Sequence, residues 1–410
     1  MNISKDIKIG VVTSTYARAH DDCQVPWMRE LLCKLGMDAG AIRVMAPAYR
    51  GLGSHEIDGT PVHRFRYAPS SWETLTHDEG APSKSRSIFY KMLAVPYLLC
   101  GALAVFWWCL RHQIQVLHIH WPFPHALWAV LPKYLLGVKV VAMSHGAELA
   151  IARRSRIVKI VLGYLLRMAD VRCANSSHTA REVSEVSGMD DVVITPYGAT
   201  VKSKKQSMSL DGDPMLLFCG RLIQRKGIDV LLRSLPRVLA RQKVQVVITG
   251  EGDCKQQWME LADELGLSES VRFAGFVSNE ELGDLYNRCS AYVHPAIFDD
   301  HGDTEGLGVV LIEALSYKKP VIASGVGGIV DVIKHEETGL LVEEKNPEQL
   351  AAAINRVLDD SDLACSLGSQ GYDHVRNFFD WDRIAQQTAD IYTSLTEETI
   401  AQSAGPSLIK

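Results

Sequence analysis

Residues 215–249 read MLLFCGRLIQRKGIDVLLRSLPRVLARQKVQVVIT. Met215 to Cys219 is a short apolar run, suited to a strand buried on both faces of a parallel sheet. A helical segment covers Ile228 to Arg241, and Val244 to Thr249 is a second, β-branched run. Strand, helix and strand in that order imply parallel strands joined by a crossover helix.

The same rhythm extends in both directions. Toward the C-terminus come a helix through Trp258 to Leu265, strands at Val271 to Phe273 and Ala291 to His294, a helix beginning near Gly306, a strand at Val321 to Ala323 and a helical region from Pro347. Toward the N-terminus, strands at Ile7 to Ser14, Ala41 to Ala46, Val116 to His120, Lys139 to Met143 and Val192 to Thr195 alternate with helix-length segments. Between Pro196 and Pro214 the sequence PYGATVKSKKQSMSLDGDP loses apolar periodicity and gathers Gly, Ser, Lys and Asp, as linkers do. The predicted fold class is α/β, with two Rossmann-like doubly wound parallel-sheet domains in tandem, residues 1–200 and 201–375, joined near residue 205. Ligands of open parallel sheets sit outside the carboxyl ends of the strands. Two such sheets facing a common cleft place the chemistry in their strand-to-helix loops.

Bulk properties narrow the class. A chain of 410 residues, 47% hydrophobic and 22% charged, fits a packed, water-soluble protein of two domains. The formal net charge of -5 supplies no overall field for nucleic acid. Nine cysteines are scattered singly, without a C-x-x-C pair, which points to a reducing cytoplasm. The N-terminus lacks the pattern of a signal peptide. Met92 to Leu110 has 19 residues without a charge, and two readings stand. In one it is a buried helix, as Pro96 and the following strand VLHIHW suggest. In the other, Phe106, Trp107 and Trp108 near Arg111, with Lys84, Arg86 and Lys91 ahead of the run, belong to a helix resting in a membrane interface.

The block His294 to Gly328, HPAIFDDHGDTEGLGVVLIEALSYKKPVIASGVGG, carries two carboxylates, Glu305 at the expected mouth of a helix and Glu313 inside it. Eight helical residues separate them by roughly 12 Å and about 80°. That is too far for one acid/base dyad, but it suits hydroxyls at opposite ends of an elongated ligand. The amides of Gly306, Leu307 and Gly308 lie between them, where small residues let an anion approach a helix start. The bland alternative is an amphipathic helix with Glu313 on a solvated face. Gly220 to Gly227 follows a strand and offers Arg221 and Lys226 to a departing diphosphate; the alternative is a basic surface turn with Arg225 as its solvated member. Ser324 to Gly328 is a third small-residue loop.

G-R-L-x3-K-G, then E-G-x-G-x4-E, then P-V-I-A-S and G-G, in this order and spacing, resemble the retaining glycosyltransferases of family 4, which have the GT-B fold. The resemblance implies that Arg221 and Lys226 bind a donor diphosphate, that Glu305 contacts the transferred sugar and that Glu313 holds the ribose. Phe276 and Val277 resemble the loop lining the base pocket. Ser144 to Glu148 resembles the family's His-Gly loop, making His145 the residue that faces transferred sugar and acceptor. Trp121 to Pro124 resembles a segment of polysaccharide-assembly members and implies acceptor contact. Many members carry a Gly-Gly loop after the first strand, where this chain has Thr15 to Asp22; Asp22 is the acceptor-side candidate there. Phe378 to Asp382 resembles the crossover into a last helix, so residues 376–410 are expected to pack back on the first domain.

The resemblance makes the nucleotide-sugar a substrate and implies no cofactor and no metal. His118 and His120 are read as facing opposite sides of their strand, which excludes joint chelation. Arg153, Arg154, Arg156 and Lys159 before the run IVLGYLL form a basic amphipathic segment, either a buried helix with a basic edge or a contact with anionic membrane. The expected activity is transfer from a UDP- or GDP-sugar to a saccharide acceptor, lipid-linked or small and soluble, on the cytoplasmic side. A nicotinamide oxidoreductase would want G-x-G-x-x-G after the first strand, where Gly10 to Ser14 lacks it. A non-catalytic sugar-nucleotide sensor remains as the third reading.

Overall fold

The computed structural model describes residues 7–20, 22, 24–35, 41–76, 87–201 and 213–403. Cys23, Lys84, Arg86 and the linker residues 202–212 lie outside the described residues. The chain forms two compact units, Met1–Thr195 with Trp381–Lys410, and Pro196–Asp380.

In the first unit the strands are β1 (Ile9–Val12), β2 (Ile42–Pro47), β3 (His55–Ile57), β4 (Thr60–Phe65), β5 (Val116–His120), β6 (Lys139–Ser144), β7 (Val171–Ala174) and β8 (Val192–Ile194). They lie in the order β3-β4-β2-β1-β5-β6-β7-β8. All neighbours are parallel except β3 and β4. The second unit has β9 (Met215–Cys219), β10 (Gln245–Thr249), β11 (Val271–Gly275), β12 (Ala291–His294), β13 (Val321–Ser324) and β14 (Leu340–Val342), in the parallel order β11-β10-β9-β12-β13-β14. In each sheet the order reverses beside the first strand, β1 or β9, and such switch points are where α/β sheets bind ligands.

Helices on both faces bury these strands, so β1 and β12 are inaccessible along their whole length. That is why they read as continuous apolar runs. The helix Ile228–Leu239 seats Val230, Leu231, Leu235 and Val238 in the core of the second unit. The final helix, Trp381–Ser403, packs against Pro26–Leu35 and brings Tyr392 onto His118 of β5.

The helix Ile88–His112 is buried along one face and exposed along the other. Leu93, Tyr97, Gly101, Val105 and Trp108 face the core. Gly101 is required there, because a Cβ would run into the Trp128 ring. The opposite stripe, Ile88, Met92, Val95, Leu99, Leu103 and Trp107, is exposed, with Trp107 at 61%. A helix with one face locked to its own domain is not free to cross a bilayer. The helix Arg156–Met168 likewise buries Leu162, Leu165 and Leu166 and exposes Ile157, Ile160 and Tyr164.

Candidate functional site

The second unit gathers its charged groups at the carboxyl ends of β9 and β12. The loop Gly220–Gly227 turns through a short 3-10 segment, Gln224–Lys226, and ends on Gly227 at φ 62°. A side chain at Gly227 would collide with the carbonyl of Pro295, so glycine lets this loop lie directly on the segment after β12. That contact delivers Lys226 Nζ to Glu305 Oε2 as a buried ion pair. Arg225 Nη1 stands 3.6 Å from Glu305 Oε1 and donates to the Thr304 carbonyl at 2.8 Å. Arg225 Nε lies 3.6 Å from Asp303 Oδ2. The expectation of a solvated Arg225 is therefore corrected: it is half-buried and tied into the carboxylate cluster. Arg221, on the same loop, is exposed; its carbonyl accepts from the Ile223 amide at 3.0 Å, and its guanidinium has no hydrogen-bond or ion-pair partner among the described residues.

His294, the last residue of β12, is fully buried, stacks on Phe218 at 5.5 Å and places Nε2 3.1 Å from Glu305 Oε2. Its Nδ1 is 3.3 Å from the Tyr292 hydroxyl. Burial pushes His294 down to about 4, so the ring is neutral at pH 7 and its hydrogen belongs on Nε2, facing the carboxylate. Burial alone would raise Glu305, yet Lys226, Arg225 and His294 outweigh it and hold the carboxyl well below its usual range. The sequence reading missed His294. Its one signal was a histidine ending an otherwise apolar strand.

Two expectations for this block change. The helix begins at Val309, with Gly308 at φ 84° as its cap, so residues 305–308 are not helical and the helical rise does not measure the distance from Glu305 to Glu313. Gly306, Leu307 and Gly308 precede the helix, and Gly327 and Gly328 press against the carbonyls of Glu305 and Gly306. Nor does Glu313 lie on a solvated face. It is buried and accepts from Thr200 Oγ1 at 2.6 Å, the Thr200 and Val201 amides at 3.3 Å, and Tyr286 Oη at 3.2 Å. Burial raises this carboxyl and those donors only partly offset it. Phe276 follows β11 and is exposed, with Val277 half-buried beside it.

In the first unit, β1, β5 and β6 lie side by side, and their carboxyl ends present His145, His120, Trp121 and Trp27. His145 follows β6. Its amide donates to Glu148 Oε1 at 2.8 Å, and its Nε2 lies 3.0 Å from His120 Nδ1. Burial pushes both imidazoles well below the usual range. Buried Glu148 is raised by burial to about 7. His118 and His120 do not face opposite sides: their rings are 4.4 Å apart, because residues two apart on a strand share a face. His118 Nδ1 is 2.7 Å from Tyr392 Oη. Among the described residues no group of three or more His, Cys, Asp or Glu side chains is placed to hold a metal.

Trp121 adopts φ 55° and ψ 77°, a left-handed backbone that a large side chain rarely takes. His125 Nδ1 donates to its carbonyl at 2.9 Å. The Trp121 ring lies 4.5 Å from His145. Trp27, which the sequence reading missed, approaches His145 at 5.1 Å, His120 at 5.4 Å and Trp121 at 6.1 Å. Asp22 serves its own loop, accepting from Arg18 Nε at 2.6 Å, Arg18 N at 2.9 Å and Gln24 N at 3.1 Å.

Two doubly wound parallel-sheet units, each with polar groups at its strand ends, are the components of the GT-B fold. Residues 42–201 match the model of Glycosyltransferase Family 4 and residues 200–374 that of Glycosyl transferases group 1. A GDP-mannose-dependent monoacylated alpha-(1-6)-phosphatidylinositol monomannoside mannosyltransferase of Corynebacterium glutamicum is 30% identical over 286 residues, 66% of this chain and 74% of that protein. A GDP-mannose-dependent alpha-(1-6)-phosphatidylinositol monomannoside mannosyltransferase of Mycobacterium tuberculosis is 28% identical over 293 residues, 68% of this chain and 76% of that protein. An uncharacterized glycosyltransferase of Methanocaldococcus jannaschii is 36% identical over 182 residues, 44% of this chain and 45% of that protein. Among solved structures, sucrose-phosphate synthase from Thermosynechococcus elongatus aligns with TM-score 0.75 and 21% identity over 96% of this chain and 100% of that one. Anabaena HepE in complex with UDP and glucose aligns with TM-score 0.71 and 18% identity over 95% and 100%. The chain belongs to glycosyltransferase family 4.

Proposed function

We propose that the protein is a retaining, metal-independent glycosyltransferase that moves a sugar from a UDP- or GDP-sugar to a lipid-linked saccharide at the cytoplasmic face of a membrane. The observation that carries this is the loop Gly220–Gly227, which holds Lys226 buried against Glu305 while leaving the Arg221 guanidinium without a partner among the described residues. A diphosphate brings two negative charges to that loop. Arg221 takes one through charge-assisted hydrogen bonds, and Lys226 turns from Glu305 to the other. Glu305, still held by Arg225 and His294, then offers an oxygen to a hydroxyl of the transferred sugar. Charge developing on the leaving diphosphate then meets Arg221, Lys226 and the amides around Gly306 to Gly308, and electrostatic stabilisation of this kind lowers a barrier most.

Glu313 suits the ribose. Its Oε1 has three donors, but Oε2 has only Tyr286 among the described residues and retains an acceptor position. His145, kept neutral by burial, is assigned to hydrogen bonding with the acceptor hydroxyl; as that oxygen bonds to the anomeric carbon, the carbon–oxygen bond to the diphosphate breaks and the hydroxyl proton passes to the departing phosphate oxygen. The acceptor class draws on the relatives named for phosphatidylinositol monomannoside. Membrane contact draws on the exposed stripes of Ile88–His112 and Arg156–Met168, beside exposed Arg154, Arg156 and Lys159. UDP or GDP should raise the unfolding temperature by mass action, and Lys226→Ala or Glu305→Ala should abolish transfer while circular dichroism stays native. Unchanged turnover in either variant rejects the assignment.

A further inference from the structure

The helix Ile88–His112 ends beside the first residues of β1 and β5, and cationic or titratable side chains from three strands meet it there. Arg43 in β2 lies opposite Gly10, and Met45, two residues on, lies opposite His63 in β4, so Arg43 and His63 share one face of the sheet. The helix covers that face, since a Cβ on Gly10 would come within 2.7 Å of the Trp108 ring. The His63 ring stands 5.6 Å from Trp108 and 5.0 Å from His112 in the last turn. Arg111 precedes His112, and Lys8, just ahead of β1, donates from Nζ to Gln113 Oε1 at 2.6 Å.

These groups have gathered without a counter-charge. Among the described residues no carboxylate pairs with Lys8, Arg43, His63, Arg111 or His112, and the guanidiniums of Arg43 and Arg111 have no hydrogen-bond partner. His63 Nε2 is buried and equally unpartnered. Burial, then His112, Arg43 and Arg111, push His63 down to about 4; burial, then Arg43, Arg111 and Lys8, lower His112. Every charge facing either ring is therefore positive. A helix C-terminus favours Arg111 and His112, but Arg43 and His63 belong to strands and only add repulsion. A local rule broken in this way, with no compensation inside the fold, marks a functional site.

An anion from outside supplies the compensation. Two guanidinium forks and imidazole N–H groups match phosphate oxygens, each of which accepts charge-assisted hydrogen bonds. Arg111 lies one turn beyond exposed Trp107, on the same side of the helix. The cluster thus stands at the end of the exposed apolar stripe, where a lipid lying along that stripe would carry its headgroup.

We propose that Arg43, His63, Arg111 and His112, with Lys8 at the rim, form a binding site for a phosphate group carried by a membrane lipid. The site belongs to the first unit and is independent of the loop Gly220–Gly227; only the lipid as its source rests on the membrane contact proposed above.

The test uses the full chain. Sulfate is titrated as a phosphate mimic of constant charge, with nitrogen-labelled histidine followed by NMR, and the His63 and His112 signals should shift. A bound anion raises both imidazoles, so binding takes up protons and affinity should rise about threefold or more as pH falls from about 7.5 to about 5.5. Arg43→Gln and, separately, the exposed Arg111→Gln should each weaken sulfate about tenfold, and neither should lower the unfolding temperature without anion, since each relieves repulsion. Arg221→Gln should leave the two histidine shifts as they are. In flotation, phosphatidylcholine vesicles containing phosphatidic acid should retain more protein than those containing diacylglycerol, and Arg43→Gln should abolish the difference. Sulfate binding without that difference keeps the phosphate site and overturns the lipid as its source. No shift of either histidine, affinity independent of pH, or equal affinity in Arg43→Gln overturns the site itself.

Discussion

The buried pair Lys226–Glu305 makes a quantitative prediction. Truncating one partner of a buried ion pair costs about 3–5 kcal/mol, since the other charge is left uncompensated. In Lys226→Met, Glu305 keeps Arg225 at 3.6 Å and the His294 donor at 3.1 Å, which places the loss near the lower bound, about 3 kcal/mol. Glu305→Gln preserves shape and an acceptor for His294 but strands Lys226. Because burial already lowers that lysine's proton affinity, it can shed its charge, and the cost is about 2 kcal/mol. The double variant removes both charges at once, so the two losses should fall short of additive by about 2 kcal/mol, within the span of coupled neighbours. Calorimetry reads this on the transition that moves when UDP or GDP is added, which marks the second unit. The pH dependence supplies a sign check. Glu305 is depressed in the folded state, so its stabilisation is present above the unfolded value near 4.5 and is lost as pH falls below it. Lys226→Met should flatten that acid loss. Strictly additive losses, with a coupling below about 0.5 kcal/mol, would refute the paired arrangement.

Acid should also unsettle the first unit. His118 and His125, fully buried and lowered to about 4, contribute stability that is present above pH 6.5 and lost as pH falls toward 4, about 2 kcal/mol each by pH 5. Glu148, raised to about 7, acts oppositely between pH 7 and 4.5, so Glu148→Gln should steepen the loss from pH 7 to pH 5 by about 2 kcal/mol; an unchanged slope in thermal unfolding counts against it. For membrane contact, the protein should co-sediment with phosphatidylglycerol vesicles, and the pair Leu103→Glu and Trp107→Glu, on an exposed stripe, should release it with transfer to a soluble acceptor retained. Undiminished sedimentation of that double variant would assign binding elsewhere.

Long apolar runs told most about the fold. β5, β9 and β12 coincide with their expected limits because every residue in them is apolar or tolerated inside a two-sided sheet. β7 escaped, since Arg172 sits in the middle of it; the guanidinium is buried by Asp191 and the carbonyls of Leu166 and Ala169, partners that local pattern cannot supply. β14 and β3 escaped because their three residues carry too little periodicity, and β4 because Pro61, His63 and Arg64 interrupt its apolar pattern. The helix start was placed too early for a different reason: Gly308 reads as a residue that loosens a helix, whereas it caps one from a left-handed conformation. Motif spacing brought Arg221, Lys226 and Glu305 to one strand-end cluster. Trp27 had no such motif, and its place beside His145 and Trp121 depends on β1, β5 and β6 being neighbours.

The two glutamates of the E-x7-E block show why residue type alone does not fix chemistry. Both are buried, and burial pushes both toward the protonated form. Glu305 faces two cations and an imidazole hydrogen, which reverse the shift; Glu313 meets only hydroxyls and amides, which do not. One position therefore carries a firm negative charge whose partner is a lysine, and the other is a hydrogen-bonding group of raised proton affinity. Such divergence between like groups separates their roles. A diphosphate could compete with the first for Lys226, because Arg225 and His294 still hold the carboxylate when the lysine turns away. It has nothing to exchange with at the second, where only a neutral hydroxyl can join Thr200 and Tyr286. Under the proposed function this divergence fits a donor whose diphosphate meets Lys226 beside Glu305 and whose ribose hydroxyl meets Glu313.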